Sequence, residues 1–275
     1  MAEFDAYSAT SRALKVEKAL GLVWFPGGQI REGRGFHGFE KRWSVTCEQT
    51  REEVGSVSSG GTHGDLVMLE VKGLRTREVV PVLREEIPEH ACTRVDACVD
   101  FDRPGAWDDL LGILAEVKQE QGLKGEKRGD WDFPEDGRTM YLGANSSPVR
   151  CRLYEKGKQP GYRSACRWDW VRLEAQVRPQ KDARRVFSTL SADQVWGASG
   201  WTRKIAQRAF SLETGAFPAA GVKKDTDFAQ RWEWVCAQAA PTLLEAIEVF
   251  GDWESVRRNL IEGHRAKIAG KKRGS

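Results

Sequence analysis

"TRVDACVDF", residues 93–101, alternates polar and apolar side chains from Arg94 to Phe101, with Cys98 counted among the polar ones. Successive side chains of a β-strand point to opposite faces of the sheet, so this stretch predicts a strand with one apolar and one polar face. The apolar face predicts packing against helices, which would leave the polar side chains together on the opposite side. Those polar-face residues are Arg94, Asp96, Cys98 and Asp100.

Two later stretches share this design. "VRCRLYE" (149–155) places Arg150, Arg152 and Tyr154 on one face. "DWVRLEAQVR" (169–178) does the same with Arg172 and Glu174. If the three strands belong to one sheet, its polar side collects three carboxylates, several arginines and a tyrosine.

The whole chain predicts an α+β fold with a mainly antiparallel central sheet, flanking helices and a helical C-terminal region. Further β-prone runs lie at 20–25, 38–47, 52–57, 65–71 and 138–143, and helical spacing is found at 74–87 and 105–122. "GANSSP" (143–148) predicts a hairpin turn. The sequence divides into a strand-rich N-terminal half (1–88), a catalytic sheet region (89–180) and a helical C-terminal region with a basic tail (181–275). No internal repeat is visible in the sequence.

Composition argues against a membrane protein. The 275 residues are 40% hydrophobic and 30% charged, and no apolar run approaches the roughly 18 residues that cross a bilayer. The N-terminus begins with acids and lacks an apolar segment before a cleavage site, so we expect a cytoplasmic protein with no membrane partner. The six cysteines form no CxxC pair and the four histidines are scattered, so a metal would rely on carboxylates.

Basic residues are concentrated in two blocks, although the net charge is only +3. Residues 148–185 carry eleven Lys and Arg against four Asp and Glu, and residues 256–275 carry seven against one. Such blocks are typical of a site for a polyanion, because neutralised phosphates supply most non-specific nucleic-acid affinity. The C-terminal block is equally consistent with a solvated tail.

The polar sheet face has the groups needed for phosphoryl transfer. Carboxylates on neighbouring strands can hold Mg²⁺ or Mn²⁺, arginines bind phosphate, and a tyrosine oxygen can attack phosphorus. The alternative is that any half-exposed sheet has a polar face. Asp96 and Asp100 would then be only the cross-strand partners of Arg94 and Arg172, and Tyr154 an ordinary strand aromatic.

Three motifs in order carry a family resemblance: "CTRVDACVDF", "GRTMYLGANSSPVRCRLYEKGKQ" and "WVRLEAQVRP". Together they resemble the replication initiation factor family of phages and plasmids, rolling-circle initiators that are related to conjugative relaxases. "SSGGTHGDLVMLEVKG" before them and "SADQVWGASGWTRKIAQ" after them are similar to the same family, the latter to its filamentous-phage replication proteins. The resemblance covers roughly residues 55–210.

The resemblance implies a metal-dependent endonuclease that cuts and rejoins single-stranded DNA at a specific site. The family's Arg-x-Tyr-x-Lys motif falls on Arg152, Tyr154 and Lys156, which makes Tyr154 the nucleophile of a 5′-phosphotyrosine intermediate. The implied ligands of Mg²⁺ or Mn²⁺ are Asp96, Asp100 and Glu174. The implied partner is a replication origin with a single-stranded or cruciform nick site, with which a host helicase or polymerase could act.

Further basic and aromatic residues near this motif are expected to contact DNA: Arg150, Lys158, Tyr162, Arg163, Arg167 and Arg172. Tyr162 would stack on a base, while a plain surface loop is the alternative for residues 156–167. Gln159 stands where related initiators often have a glutamate, so termination could differ, and Glu155 is predicted to point to the opposite face. A relaxase acting on a transfer origin and a non-catalytic DNA-binding regulator remain alternative functions.

Overall fold

The structure, a computed structural model, describes residues 1–220, 232, 235, 236 and 238–271. These residues form two compact units, Met1–Val222 and Lys223–Ser275. Of the helices within the described ranges, none is long and apolar enough to cross a membrane. The end of the predicted basic tail, residues 272–275, lies outside the described residues.

All ten strands of the first unit form one antiparallel sheet in the order β2-β3-β4-β5-β1-β6-β10-β9-β8-β7. The strands are β1 (Glu3–Ser11), β2 (Gly28–Arg34), β3 (Lys41–Cys47), β4 (Glu53–Ser59), β5 (Val67–Lys72), β6 (Ala91–Asp102), β7 (Gly125–Arg128), β8 (Thr139–Leu142), β9 (Val149–Glu155) and β10 (Trp170–Val177). The predicted α+β fold with a mainly antiparallel sheet is therefore confirmed.

Helices cover one side of this sheet. The first unit contains α1 (Val16–Val23), α2 (Thr76–Glu86), α3 (Ala106–Gln121), α4 (Ala183–Phe187), α5 (Ala192–Val195) and α6 (Gly200–Phe210), and the second contains α7 (Ala240–Phe250) and α8 (Trp253–Lys271). Helix α3 packs on β9, and α4 and α5 pack on β6. The α3 helix ends at Gly122, whose left-handed backbone suits a glycine.

The alternation read from the sequence decides which strand residues face these helices. Val95, Leu153 and Leu173 are fully buried in the hydrophobic core, each on a different one of the three central strands. Their neighbours along each strand point the other way. The core therefore lies between the sheet and the helices, and the polar side chains share the opposite face.

The sheet consists of two halves with the same topology. In each half a central strand is followed by a helix and four more strands, and the last of these returns beside the first. Strands β4 and β9 both have seven residues, and aligning them end to end places Ser58 at the position of Tyr154. The ladders then place Glu70, opposite Ser56, at the position of Glu174, opposite Arg152. The two halves meet where β1 pairs with β6.

Some predicted elements were wrong. Residues 20–25, predicted as a strand, belong largely to helix α1, where Ala19 and Val23 are buried at helical spacing. Three strands, β1, β2 and β7, were not predicted. Every residue of β7 is exposed, as are nearly all those of β2, so neither strand has the apolar face that marks a strand in sequence.

Candidate active site

The three predicted polar strands are neighbours in the sheet. Strand β10 lies between β6 and β9, with Arg172 opposite both Asp100 and Tyr154. Glu174 is opposite Cys98 on one side and Arg152 on the other. This register brings the tyrosine, the arginines and the carboxylates of the sequence prediction onto one face.

Tyr154 lies buried among charged groups, with only 2% of its surface exposed. The guanidinium of Arg152 lies 3.8 Å from the centre of its ring, and Lys156 Nζ lies 5.7 Å from the same point. Burial raises the pKa of Tyr154 far above its ordinary value, and the charge of Glu174 raises it further, whereas Arg172 acts in the opposite sense. The phenol is therefore neutral at rest and needs a proton acceptor to become a nucleophile.

Glu174 is the carboxylate on the same face as Tyr154, on the adjoining strand and diagonal to it in the ladder between β9 and β10. It is 1% exposed, and its Oε2 accepts a hydrogen bond from Gln176 Nε2 at 3.2 Å and lies 3.8 Å from Arg152 Nη1. Its Oε1 is buried without a hydrogen-bond partner. Burial, with the charge of Asp5 adding to it, raises the pKa of Glu174 to about 7.

Asp96 and Asp100 are each bound by an arginine. Arg94 donates to both oxygens of Asp96 at 3.0 and 2.6 Å, and Arg172 donates to both oxygens of Asp100 at 2.7 Å. Burial raises the pKa of Asp96. Burial also acts to raise the pKa of Asp100, but the hydrogen bonds and the charge of Arg172, with smaller contributions from Trp170 and Lys156, together lower that pKa. Both ion pairs that the sequence analysis named as the alternative are therefore present, although only Arg172 and Asp100 pair across strands, whereas Arg94 and Asp96 pair along β6.

The predicted metal ligands differ in how they fit an ion. Across the described ranges, no group of three or more His, Cys, Asp or Glu side chains is arranged to hold a metal. The free Oε1 of Glu174 can take a cation directly. Asp96 and Asp100 would each have to exchange an arginine hydrogen bond for the ion. Asp96 and Glu174 line one cleft, while Asp100 lines a second.

The first cleft has a volume of about 520 Å³ and is lined by both halves of the sheet. The C-terminal half contributes Arg152, Lys156, Gln159, Tyr162 and Glu174 among others, and the N-terminal half contributes Asp5 and Glu70. These last two acids were not predicted. Glu70 lies in the alternating run "VMLEVK", which offered a signal. Asp5 lies at a register shift between Phe4 and Ala6, where alternation is interrupted.

The segment after β9 is tied to the sheet by aromatic and ionic contacts. Lys156 is 8% exposed, and its Nζ lies 3.9 Å from the ring centre of Tyr162, which packs edge-on against Trp170. Arg163 donates to Asp136 at 2.8 Å. Arg167 donates to Asp102 at 2.7 Å and lies over the ring of Trp170. Both arginines remain more than two-fifths exposed at their side chains, so they can still meet a ligand.

Other predicted residues lie away from the phenol. Arg150 is buried at the start of β9, donates to Glu126 at 2.5 Å and covers the ring of Tyr141. It is four residues from Tyr154, or about 13 Å along the strand. Glu155 points to the opposite face, as predicted, and accepts hydrogen bonds from Arg138 and from Lys158.

Comparison with known proteins gives two results. Residues 93–246, more than half of the chain, match the family described as "Replication initiation factor". The chain is also similar to the solved structure of a rolling circle replication initiator protein from Geobacillus stearothermophilus, with a TM-score of 0.50 and 18% sequence identity over 71% of this chain and 82% of that one. At this identity the likeness shows the fold. No curated protein matches the chain.

Proposed function

The chain belongs to the replication initiation factor family, and on that premise we propose that it starts rolling-circle replication by cutting one DNA strand with Tyr154. The similarity in fold to a rolling circle initiator supports this reading. The observation that carries it is the burial of Tyr154 against the Arg152 guanidinium, on the same sheet face as the buried carboxylate of Glu174. A carboxylate buried beside a phenol costs stability, and such costs cluster at functional sites.

The proposed reaction exchanges one phosphodiester for another. The Tyr154 oxygen attacks phosphorus, its proton passes to Glu174, and the bond from phosphorus to the 3′-oxygen breaks in line. The departing 3′-oxygen takes up a proton and becomes a hydroxyl that can prime synthesis. Because the 5′-phosphotyrosine link retains the bond energy, a later 3′-hydroxyl can reverse the step and reseal the strand.

The cations around Tyr154 would stabilise the charge that develops on the phosphate. Arg152 and Lys156 lie over the phenol ring, and Arg172 lies opposite it in the ladder. Preorganised donors in a site shielded from water typically contribute several kcal/mol to such a step. Mg²⁺ or Mn²⁺ held by Glu174 and Asp96 would supply a Lewis acid for the scissile phosphate. Asp100, the third ligand that the resemblance implies, lines the second cleft and is bound by Arg172.

DNA would approach through the segment after β9. Tyr162, Arg163 and Arg167 are partly exposed there, and phosphate contacts from such residues fix the position of a strand without reading its sequence. Lys158 lies in the same segment and pairs with Glu155. Gln159 lines the cleft beside Lys156, so the residue at this position faces the proposed reaction.

The nucleophile can be tested without knowing the origin sequence. The protein is incubated with Mn²⁺ and a pool of single-stranded oligonucleotides of random sequence, and covalent adducts are separated under denaturing conditions. We expect adducts with the wild type and with Tyr141→Phe, a matched control on the neighbouring strand, but none with Tyr154→Phe. Adducts with Tyr154→Phe would show that another residue is the nucleophile.

The recovered sequences then separate the alternative functions. A wild-type protein that binds DNA but forms no adduct, either with the pool or with supercoiled DNA, would be a binding protein of the same fold. A recovered sequence that supports plasmid replication dependent on this chain identifies an initiator. One that supports only transfer between cells identifies a relaxase.

A further inference from the structure

Three hydrogen bonds hold the guanidinium of Arg172. Its Nε and Nη2 donate to Asp100 on β6 at 2.7 Å, and its Nη1 donates to Asp5 on β1 at 2.5 Å. The arginine comes from β10, so it reaches across β6 to the N-terminal half of the sheet. Its side chain is 12% exposed. Charge-assisted bonds of this kind are roughly twice as strong as neutral ones, and together they leave the group little freedom.

An irregularity in β1 directs Asp5 toward Arg172. The ladder between β1 and β6 shifts register between Phe4 and Ala6, so Asp5 is an extra residue. Phe4 and Tyr7 both pack on the core side, with their rings in edge contact, although they are an odd number of residues apart. Only a bulge allows this arrangement, and bulges commonly re-aim a side chain next to a functional site.

We propose that Asp5 is a positioning residue of the nicking site, which together with Asp100 fixes the Arg172 guanidinium beside Tyr154. The inference rests on the proposed function of Tyr154. Arg172 is the cross-strand neighbour of Tyr154, and its positive charge favours the phenolate. An arginine free to rotate would give that support only part of the time, because its donors could turn toward either carboxylate or toward water.

The N-terminal half would thus contribute a residue to the site, although it lies outside the region that matches the family. Asp5 lies outside residues 93–246, yet it contacts the residue opposite the proposed nucleophile. The second anchor, Asp100, comes from the C-terminal half. The reactive geometry would therefore be composite, and the C-terminal half alone would hold Arg172 by one carboxylate instead of two.

The kinetic test compares Asp5→Asn and Asp5→Ala with Asp65→Asn, a matched control whose carboxylate forms an exposed ion pair with Arg12. The substrate is an oligonucleotide recovered from the random pool. Because small misplacements of a reacting group cost up to about a hundredfold, we expect adduct formation at saturating DNA to slow about tenfold in Asp5→Asn and more in Asp5→Ala. The affinity for DNA should stay within about twofold, since Asp5 holds Arg172, whose side chain is only 12% exposed, and not the exposed Arg163 and Arg167. Unchanged rates at saturating DNA, or a loss that follows affinity alone, would overturn the inference.

A spectroscopic measurement tests the clamp independently of nicking. In wild type and in Asp65→Asn, the ¹⁵N resonances of the two Arg172 Nη groups should be separate because rotation of the guanidinium is hindered. In Asp5→Asn they should merge. If the resonances merge in Asp5→Asn but the wild type forms no adduct, the clamp stands and the nicking function is rejected. Separate resonances in Asp5→Asn, with adducts formed at the wild-type rate, would reject the clamp and leave the nicking function standing.

Discussion

Replacing Glu174 with glutamine should make the protein more stable and less active. The pKa of Glu174 rises from 4.5 to about 7 in the folded protein, mainly because the carboxylate is buried. Each tenfold change in proton affinity corresponds to about 1.4 kcal/mol, so ionised Glu174 costs folding about 3 kcal/mol. The cost is fully present above pH 7 and disappears as the pH falls toward 4.5, where folded and unfolded chains both bind the proton.

Glutamine has a similar shape and no charge, so Glu174→Gln does not bear the free-energy cost of a buried charge at any pH. Above pH 7 the variant should unfold at a temperature about 6–12 °C higher than the wild type, since about 1 kcal/mol moves the midpoint of a domain of this size by 2–4 °C. Near pH 4.5 the two proteins should unfold at similar temperatures. Adduct formation should fall about a hundredfold or more, because the proton acceptor of Tyr154 is lost.

Thermal unfolding followed by circular dichroism across this pH range, with EDTA present, measures the effect. Glu70→Gln, which changes the equivalent acid of the N-terminal half, is the matched control and should keep the pH dependence of the wild type. A Glu174→Gln variant that is less stable than the wild type above pH 7 would refute the reasoning. So would a stability difference between the two proteins that does not change with pH.

Three further results are expected. Glu155→Ala should lower the free energy of unfolding by about 3 kcal/mol in urea titrations, because it leaves the partly buried Arg138 without its carboxylate. The control is Glu78→Ala, which removes an exposed carboxylate that pairs with Arg75. An effect of Glu155→Ala no larger than that of the control would contradict this. Burial lowers the pKa of His90, which accepts a hydrogen bond from Tyr7, so the unfolded chain takes up the proton first as the pH falls below about 6.5 and stability should decrease there. His90→Gln should lack that decrease in thermal unfolding, and a decrease of equal size would show that another group causes it. Mn²⁺ should raise the unfolding temperature of the wild type but not of Glu174→Gln, and an equal rise in both would place the ion elsewhere.

The alternation of polar and apolar residues was enough to predict the face on which each central residue lies. The prediction was correct for β6, β9 and β10, because one face of each strand lies in the core and therefore requires an apolar residue at every second position. It failed for β1, although this strand is central, because the bulge at Asp5 interrupts the period of two. A bulge that redirects one side chain shifts the alternation by one residue, so a search for strict alternation misses the strand.

The sequence predicted which polar residues share a sheet face, and it named the pairing of Asp100 with Arg172 only as the alternative to a metal site. A strand's sequence shows which side chains share a face, whereas the partner of each depends on the register of the neighbouring strand. The pairing of Asp100 with Arg172 follows from the ladder between β6 and β10, and the reach of Arg172 to Asp5 follows from the order of three strands, β1, β6 and β10. The cleft that Glu174 lines likewise takes residues from both halves of the sheet.

The two halves show why the proposed chemistry belongs to only one of them. Each has a glutamate at the equivalent position, Glu70 or Glu174, opposite an equivalent residue of the adjoining strand. Glu70 accepts hydrogen bonds from two hydroxyls, Ser56 at 2.9 Å and Ser8 at 3.4 Å, and the residue equivalent to Tyr154 in its half is Ser58. Glu174 instead meets an arginine at 3.8 Å, keeps one oxygen without a donor and faces a phenol. A buried carboxylate oxygen without a donor can accept a proton or a cation. The N-terminal half is thus suited to hold the site in place, and the C-terminal half to react.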